Sequence, residues 1–392
     1  MMMHRASYCL IALQVAIQGA APKLQGMETE QVDAYVREEM QKQKVPGLAL
    51  LVVREGAIVK AQGYGLANIE YQVPVKPETI FQSGSLGKQF TATGIMMLAA
   101  EGRVALDDPV SKYLSDVPET WRPITVRRLL SHTAGIGEYP ENFDLRRDYS
   151  EDELLQAIYR LPLVFSPGEN WRYSNPGYVV LGILIHKVTG RFYGDFLQDR
   201  IFKPLGMTST RINSEADIIP NRAAGYRLAK GKLKNQEWVS PTMNSTADGS
   251  LCLNILDLAK WDAALYTERL LKRESLEQMW KPVVLSSGKP NIAGYGFGWM
   301  SNAVRGHRVI EHAGAWQGFS AHIARFVDEH LTIVVLANQA DGDPTRIARQ
   351  VAGLYVHQLM PDERTPTEDN GGELTAAQED QVLKYPDGKA GP

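Results

Sequence analysis

Cysteine is almost absent: the 392 residues contain two, Cys9 and Cys252. Cys9 lies in the N-terminal apolar stretch. If that stretch is removed, Cys252 stands alone, which excludes an intramolecular disulfide and a cysteine-built metal site. In Leu251-Cys252-Leu253 it reads as a buried small apolar residue. No H-E-x-x-H or other clustered His/Asp/Glu spacing occurs, so no metal and no cofactor are expected. A basic footprint is missing as well. Lys and Arg number 42 against 45 Asp and Glu, for a formal net charge of −3, and no nucleic-acid partner is expected. The N-terminal apolar run is too short and too interrupted, by Gln14 and Gln18, for a membrane span of roughly 20 residues. A G-x-S-x-G elbow is absent, which argues against the α/β-hydrolase route to a serine nucleophile. What remains is an ordinary globular balance, 44% hydrophobic and 22% charged, in a chain long enough for a large core.

The first 21 residues have the three parts of an export signal. His4 and Arg5 form a short basic start, Ala6 to Ala16 is mostly apolar, and Gly19-Ala20-Ala21 offers small residues for cleavage before Pro22. The expectation is a signal peptide over 1–21 and a periplasmic or secreted protein with no integral span after its removal. Met27 to Lys44 has helical spacing of Val32, Tyr35, Val36 and Met40. Leu48 to Val53 and Ala57 to Gln62, split by Arg54-Glu55-Gly56, predict a hairpin. Helix patterns fill the middle, among them Glu151 to Tyr159, Tyr178 to Val188 and Leu253 to Leu265. Strand patterns return at Tyr295 to Met300, Arg308 to Glu311, Ser320 to Val327 and Leu331 to Ala337, and a helix is expected over Arg346 to Leu359. Strands at both ends and helices between them predict an α/β protein. Its antiparallel sheet is built from both chain ends (27–85 and 290–360) and flanked by helices, with a mostly helical insertion over 86–289. The cleft between the two parts suits a small-molecule site. Residues 361–392 are polar and are expected to be a disordered tail.

Ser85-Leu86-Gly87-Lys88 is an S-x-x-K element at the start of an apolar stretch, Phe90 to Ala100, that ends at Glu101-Gly102. Residues i and i+3 share a helix face, so the Lys88 amine can reach the Ser85 hydroxyl. Burial and the positive end of the helix disfavour an ammonium there, and a neutral amine can take the serine proton. Ser286-Ser287-Gly288-Lys289 also fits the pattern but lies beside Pro290 in an apparent loop. Tyr173-Ser174-Asn175 is the one Y-x-N, ahead of Pro176-Gly177 and an apolar helix. Structurally it reads as a packed aromatic, an Asn175 N-cap and Pro176 at the first helical position. Chemically, a phenol near a lysine amine ionises more easily and can relay a proton, and Asn175 can meet a substrate carbonyl. His312-Ala313-Gly314 is the one H-x-G, on a predicted strand whose glycine permits close approach of a substrate backbone. A lone histidine is as readily structural. His132, in Leu129-Leu130-Ser131-His132-Thr133, has no partner motif and is expected to be structural.

In this order, S-x-x-K, Y-x-N and H-x-G resemble the serine β-lactamase-like family, the group of class C β-lactamases, D-alanyl-D-alanine carboxypeptidases, D-aminopeptidases and family VIII carboxylesterases. The stretches Leu129 to Ile136, Asn175 to Gly182, Asp248 to Leu251 and Tyr295 to Trp299 also look like the family, and the similarity runs from about Met27 to Met360. The resemblance implies that Ser85 is the acylated nucleophile and that Lys88 and Tyr173 are its acid/base pair. It further implies that Asn175, His312 and Gly314 bind substrate, and that the Ser85 and Ala315 N–H groups form the oxyanion hole. Histidine at 312 stands where β-lactamases carry a lysine that holds the antibiotic's carboxylate, and a histidine is only partly charged near neutral pH. The expected substrate is therefore a small ester or D-amino-acid peptide. The alternatives are a β-lactamase proper and a catalytically idle binding or regulatory homologue. Oligomeric state is not readable from the sequence.

Overall fold

Leu48 to Val53 is apolar at every position because the strand it forms is buried on both faces. In the computed structural model, which describes residues 21–361, this strand, β1 (Gly47–Arg54), lies inside a seven-stranded antiparallel sheet. The other strands are β2 (Ala57–Asn68), β3 (Val73–Pro74), β4 (Met300–Val304), β5 (His307–Trp316), β6 (Phe319–Phe326) and β7 (Leu331–Ala337), in the spatial order β3-β2-β1-β7-β6-β5-β4. The two chain ends meet where β1 pairs with β7, in a register that opposes Leu48 to Ala337 and Arg54 to Leu331. The expected signal over 1–21 and the expected tail over 361–392 lie outside the described residues, apart from the boundary positions 21 and 361.

Alternation along β1 sends Leu48, Leu50 and Val52 to one face and Ala49, Leu51 and Val53 to the other. The first set packs with Ile333, Val335 and Ala337 under two helices, Ala21–Gln43 and Pro344–Tyr355, through Val32, Val36, Met40, Ile347 and Val351. The second set joins Val334 and Leu336 in the larger core, with Phe90, Ile95 and Leu98 of the helix Lys88–Ala100. That helix is buried from Lys88 to Leu98, so its sequence is apolar all round rather than striped. It stops at Glu101, and Gly102 follows at φ +70°, the left-handed position that ends helices.

The interior of the chain is not helical throughout. Phe81–Gln82, Leu251–Leu253 and Arg211–Ile212 form a second, three-stranded sheet, and Tyr226–Ala229 pairs with Lys232–Asn235 in a hairpin. The stretch Tyr295 to Met300, expected as a strand, is a tight turn instead. Gly296 N–H donates to the Trp299 carbonyl, and Gly298 takes φ +72°, which a continuing strand does not accommodate. The strand starts only at Met300. Among the described residues, no helix is long and apolar enough to cross a membrane.

What positions the site is the meeting of β5 with the turn Gly84–Gly87 that leads into the helix Lys88–Ala100. The backbones touch there because glycine stands on both sides. A Cβ on Gly314 would lie 2.1 Å from the Ser83 carbonyl oxygen, and one on Gly84 would lie 2.6 Å from the Ala315 nitrogen. From below, a Cβ on Gly249 would lie 2.4 Å from the Gly84 oxygen. Ser83 closes the joint by donating its hydroxyl to the Gly249 carbonyl at 2.9 Å.

Candidate active site

Ser85 sits in this turn, partly exposed while its neighbours Gly84, Leu86 and Lys88 are buried. The Lys88 side chain is fully buried, and its Nζ lies 3.0 Å from Ser85 Oγ, 2.7 Å from Asn175 Oδ1 and 2.5 Å from the Asp248 carbonyl oxygen. The last two atoms can only accept. They take two N–H bonds and leave the third direction of the nitrogen facing Ser85. An ammonium donates there; a neutral amine points its lone pair there and accepts from the hydroxyl. Losing one proton therefore breaks none of the other bonds. Burial pulls the Lys88 pKa down to about 8, against the opposing pull of the Asp248 and Glu138 carboxylates.

Tyr173 lies beside this amine but does not bond to it end-on. Lys88 Nζ sits over the phenol ring, 4.8 Å from its centre. The Tyr173 hydroxyl is buried without a hydrogen bond of good geometry. Burial pushes its pKa well above the ordinary phenol value, and the Ser85 hydroxyl pulls it back in part. The sequence-based expectation that the lysine makes this phenol ionise more easily is thus reversed. Desolvation outweighs any help from Lys88, and Tyr173 holds its proton in the resting protein.

The Y-x-N segment is held by a loop to which the sequence pattern assigned no chemistry. His132 takes φ +58°, accepts Arg172 N–H at its carbonyl, and accepts Ser174 N–H at Nδ1 at 3.1 Å. Its ring lies against that of Tyr173, with centres 4.2 Å apart and planes tilted by 33°. It thus grips the residues on either side of Tyr173 and the ring itself, and burial keeps its pKa well below the usual value. Glu138, six residues on, accepts Asn175 N–H at 2.7 Å. The N-cap is Ser174, whose hydroxyl accepts Gly177 N–H, not Asn175 as the sequence suggested. Proline is at home anywhere in the first turn, so Pro176 fits either assignment.

His312 is brought to the site, its ring centre 6.3 Å from that of Tyr173, but it is turned inward. Nδ1 faces the Ala313 carbonyl, which can only accept, so Nδ1 carries the hydrogen. Nε2 then accepts the Tyr295 hydroxyl at 2.9 Å. Burial drives the His312 pKa down to about 3, so the residue is neutral, not partly charged. Gly314 supplies the close approach described above, and Ala315, exposed at the end of β5, abuts the turn that carries Ser85. The second S-x-x-K match, Ser286 to Lys289, lies on an exposed turn. Cys252 is buried, and burial pushes its thiol up to about 12. Among the described residues, no group of three or more His, Cys, Asp or Glu side chains is placed to hold a metal ion.

The Beta-lactamase family matches residues 32–357. The chain belongs to the Beta-lactamase family. Its S-x-x-K geometry and its membership together make it a serine hydrolase. It is similar to "Penicillin-binding protein 4*" of Bacillus subtilis, with 30% identity over 310 residues that cover 74% of this chain and 68% of that protein. The chain spans 68% of that protein's length and 62% of the length of "Protein flp" of Staphylococcus aureus (strain MRSA252), to which it is 28% identical over 315 residues. Among solved structures it resembles the octameric penicillin-binding protein homologue from Pyrococcus abyssi. There the TM-score is 0.77 at 30% identity, covering 86% of this chain and 79% of that one. It also resembles a D-stereospecific amidohydrolase from Streptomyces, with TM-score 0.66 and 28% identity, covering 78% of this chain and 93% of that one.

Proposed function

We propose that this chain hydrolyses esters or D-amino-acid peptides and amides through an acyl-enzyme on Ser85. The observation that carries this reading is the buried Lys88 amine, 3.0 Å from Ser85 Oγ with its other hydrogens already committed. Neutral Lys88 takes the Ser85 proton as Oγ bonds to the substrate carbonyl carbon. The Ser85 and Ala315 N–H groups lie on the two backbones that Gly84 lets meet, and they are assigned to the carbonyl oxygen as it gains charge. When the tetrahedral intermediate collapses, the bond to the leaving oxygen or nitrogen breaks. Tyr173, which holds its proton, gives it to that atom, and the proton that Lys88 took from Ser85 restores the phenol. Water then repeats the sequence on the acyl-enzyme. Asn175, His312 and Gly314 line the substrate side in this reading, with His312 as a neutral, inward-held wall.

The charge pattern guides the substrate class. His312 offers no cation for a substrate carboxylate, and the carboxylates acting on Lys88 are those of Asp248 and Glu138. That favours neutral esters and amides over β-lactams. The similarity to a D-stereospecific amidohydrolase supports D-residue amides within that class. Export to the periplasm or medium belongs to the same proposal and rests on the three-part pattern of residues 1–21.

The test is a panel of p-nitrophenyl esters, D-alanyl amides, D-Ala-D-Ala peptides and a chromogenic cephalosporin. Esters and D-alanyl amides are expected to lead in kcat/KM, with the cephalosporin last. A reversed ranking supports the β-lactamase alternative, and no turnover of any substrate supports the idle homologue. Because Lys88 works as the neutral amine, kcat/KM on the best ester is expected to rise with pH through about 8 and then level. Neither His132 nor His312 is expected to add an inflection near the ordinary histidine value of about 6.5, since burial holds both uncharged.

A further inference from the structure

Glu138 belongs to no motif, yet it is tied directly to the catalytic array. Its Oε1 accepts the Asn175 backbone N–H at 2.7 Å, and its Oε2 lies 3.5 Å from Asn175 Nδ2. The opposite end of that amide, Oδ1, accepts from Lys88 at 2.7 Å. A carboxylate accepts and an amine donates, so the pair fixes which way the amide points. With the amide reversed, an NH2 would face the Lys88 hydrogens and an oxygen would face a carboxylate. The loop that carries Glu138 is itself pinned, with Gly137 N–H donating to the Pro162 carbonyl and the Gly135 carbonyl accepting Val164 N–H.

We propose, building on the hydrolase reading above, that Glu138 is a positioning residue that aims Asn175 at Lys88 and sets the pH at which Lys88 becomes a base. The groups that face Lys88 can be named element by element. The turn Gly84–Gly87 offers Ser85. The segment entering the helix Asn175–Thr189 offers Tyr173 and Asn175, and that helix adds the Tyr178 ring. The loop before it offers His132 and Glu138, the turn ahead of Leu251 offers Asp248, and β5 offers His312. Both histidines are neutral and both phenols are held protonated by burial. The Lys88 charge is therefore balanced by Asp248 and Glu138, each of which raises its proton affinity. Glu138 feels the same closeness. Burial raises its pKa to about 7, while the Asn175 N–H and Lys88 pull it back.

The test is the pH profile of kcat/KM on one activated ester for wild type, E138Q and E138D. Glutamine keeps an acceptor for Asn175 N–H but removes the charge. The ammonium of Lys88 is then less favoured, and the acid limb is expected to move to lower pH by about 1 unit or more. Aspartate keeps the charge but falls short of Asn175. The limb is expected to stay in place while kcat on the plateau falls about tenfold through misalignment. A purely structural Glu138 would lower the amount of active enzyme without moving the limb, so an unmoved limb in E138Q overturns the inference alone. A wild-type protein with no turnover and no fluorophosphonate label on Ser85 overturns the hydrolase reading and this inference with it. If E138Q does not fold, E138D decides: wild-type plateau kcat there overturns the proposal.

Discussion

Lys88→Ala and Tyr173→Phe are each expected to lower kcat on an activated ester by about 10²–10⁴-fold, the range for a positioned proton transfer. Alanine at 88 removes the amine that faces Ser85 Oγ and leaves the Asn175 and Asp248 oxygens without their donor. Phenylalanine at 173 keeps the ring that packs against His132 and lies under Lys88, and deletes only the hydroxyl. The second change is therefore the cleaner one. KM is expected to move less than kcat, since both groups act mainly as charge and protons shift in the transition state. Because both groups serve one proton path, from Ser85 Oγ to the leaving atom, the double variant is expected to be little worse than the worse single. The measurement is a double-mutant cycle on one ester. Fully multiplicative losses would mean that the two groups act independently, and the shared proton path would have to be abandoned.

Gly314→Ala is expected to reduce kcat/KM by about 10²-fold or more, although it adds one methyl group and touches no proton carrier. The new Cβ would stand 2.1 Å from the Ser83 oxygen and 2.9 Å from the Leu86 nitrogen. Both are backbone atoms of the segment around Ser85, so no side chain can swing aside. Either β5 or the turn must shift, and Ser85 and Ala315 part by a distance on the order of the 1 Å displacement that costs such factors. Thermal unfolding should report a loss of about 1–3 kcal/mol from the overpacked joint. Gly56→Ala separates clash from backbone strain. Gly56 also has φ +74°, but a Cβ there meets nothing within 4 Å. It is expected to cost about 1–2 kcal/mol of stability and to leave the rate unchanged. Wild-type kcat/KM in Gly314→Ala would show that the close approach of β5 does not hold the nucleophile.

The parts of this molecule that were legible in the sequence are those whose causes are local. A strand buried on both faces writes itself as Leu48 to Val53, and a capping box at Ser150 and Glu153 starts the helix Glu151–Tyr159 where its pattern begins. Ser85 and Lys88 are three residues apart, so their contact follows from helix geometry alone. The parts that were not legible depend on neighbours remote in the chain. Glu138 meets Asn175 across 37 positions, and Asp248 meets Lys88 across 160. Glu138 stands in no pattern, and the family-like stretch Asp248 to Leu251 does not announce its contact with Lys88. The charge of His312 is set by burial, which outweighs the opposing pull of the Ala313 carbonyl, and composition does not carry that balance. His132 looked idle for the same reason, since its grip on Tyr173 joins two loops. Tyr295 to Met300 has the residues of a strand, but Gly298 at positive φ turns it.

The claim on which all of this rests is that Ser85 forms the covalent intermediate. The direct measurement is mass spectrometry of the protein after treatment with a fluorophosphonate. The account predicts one adduct, on the peptide that contains Ser85, formed faster as pH rises through about 8 with the neutral fraction of Lys88, and absent in Ser85→Ala. An adduct on the exposed Ser286, or an intact mass unchanged after exposure to the probe, would contradict it.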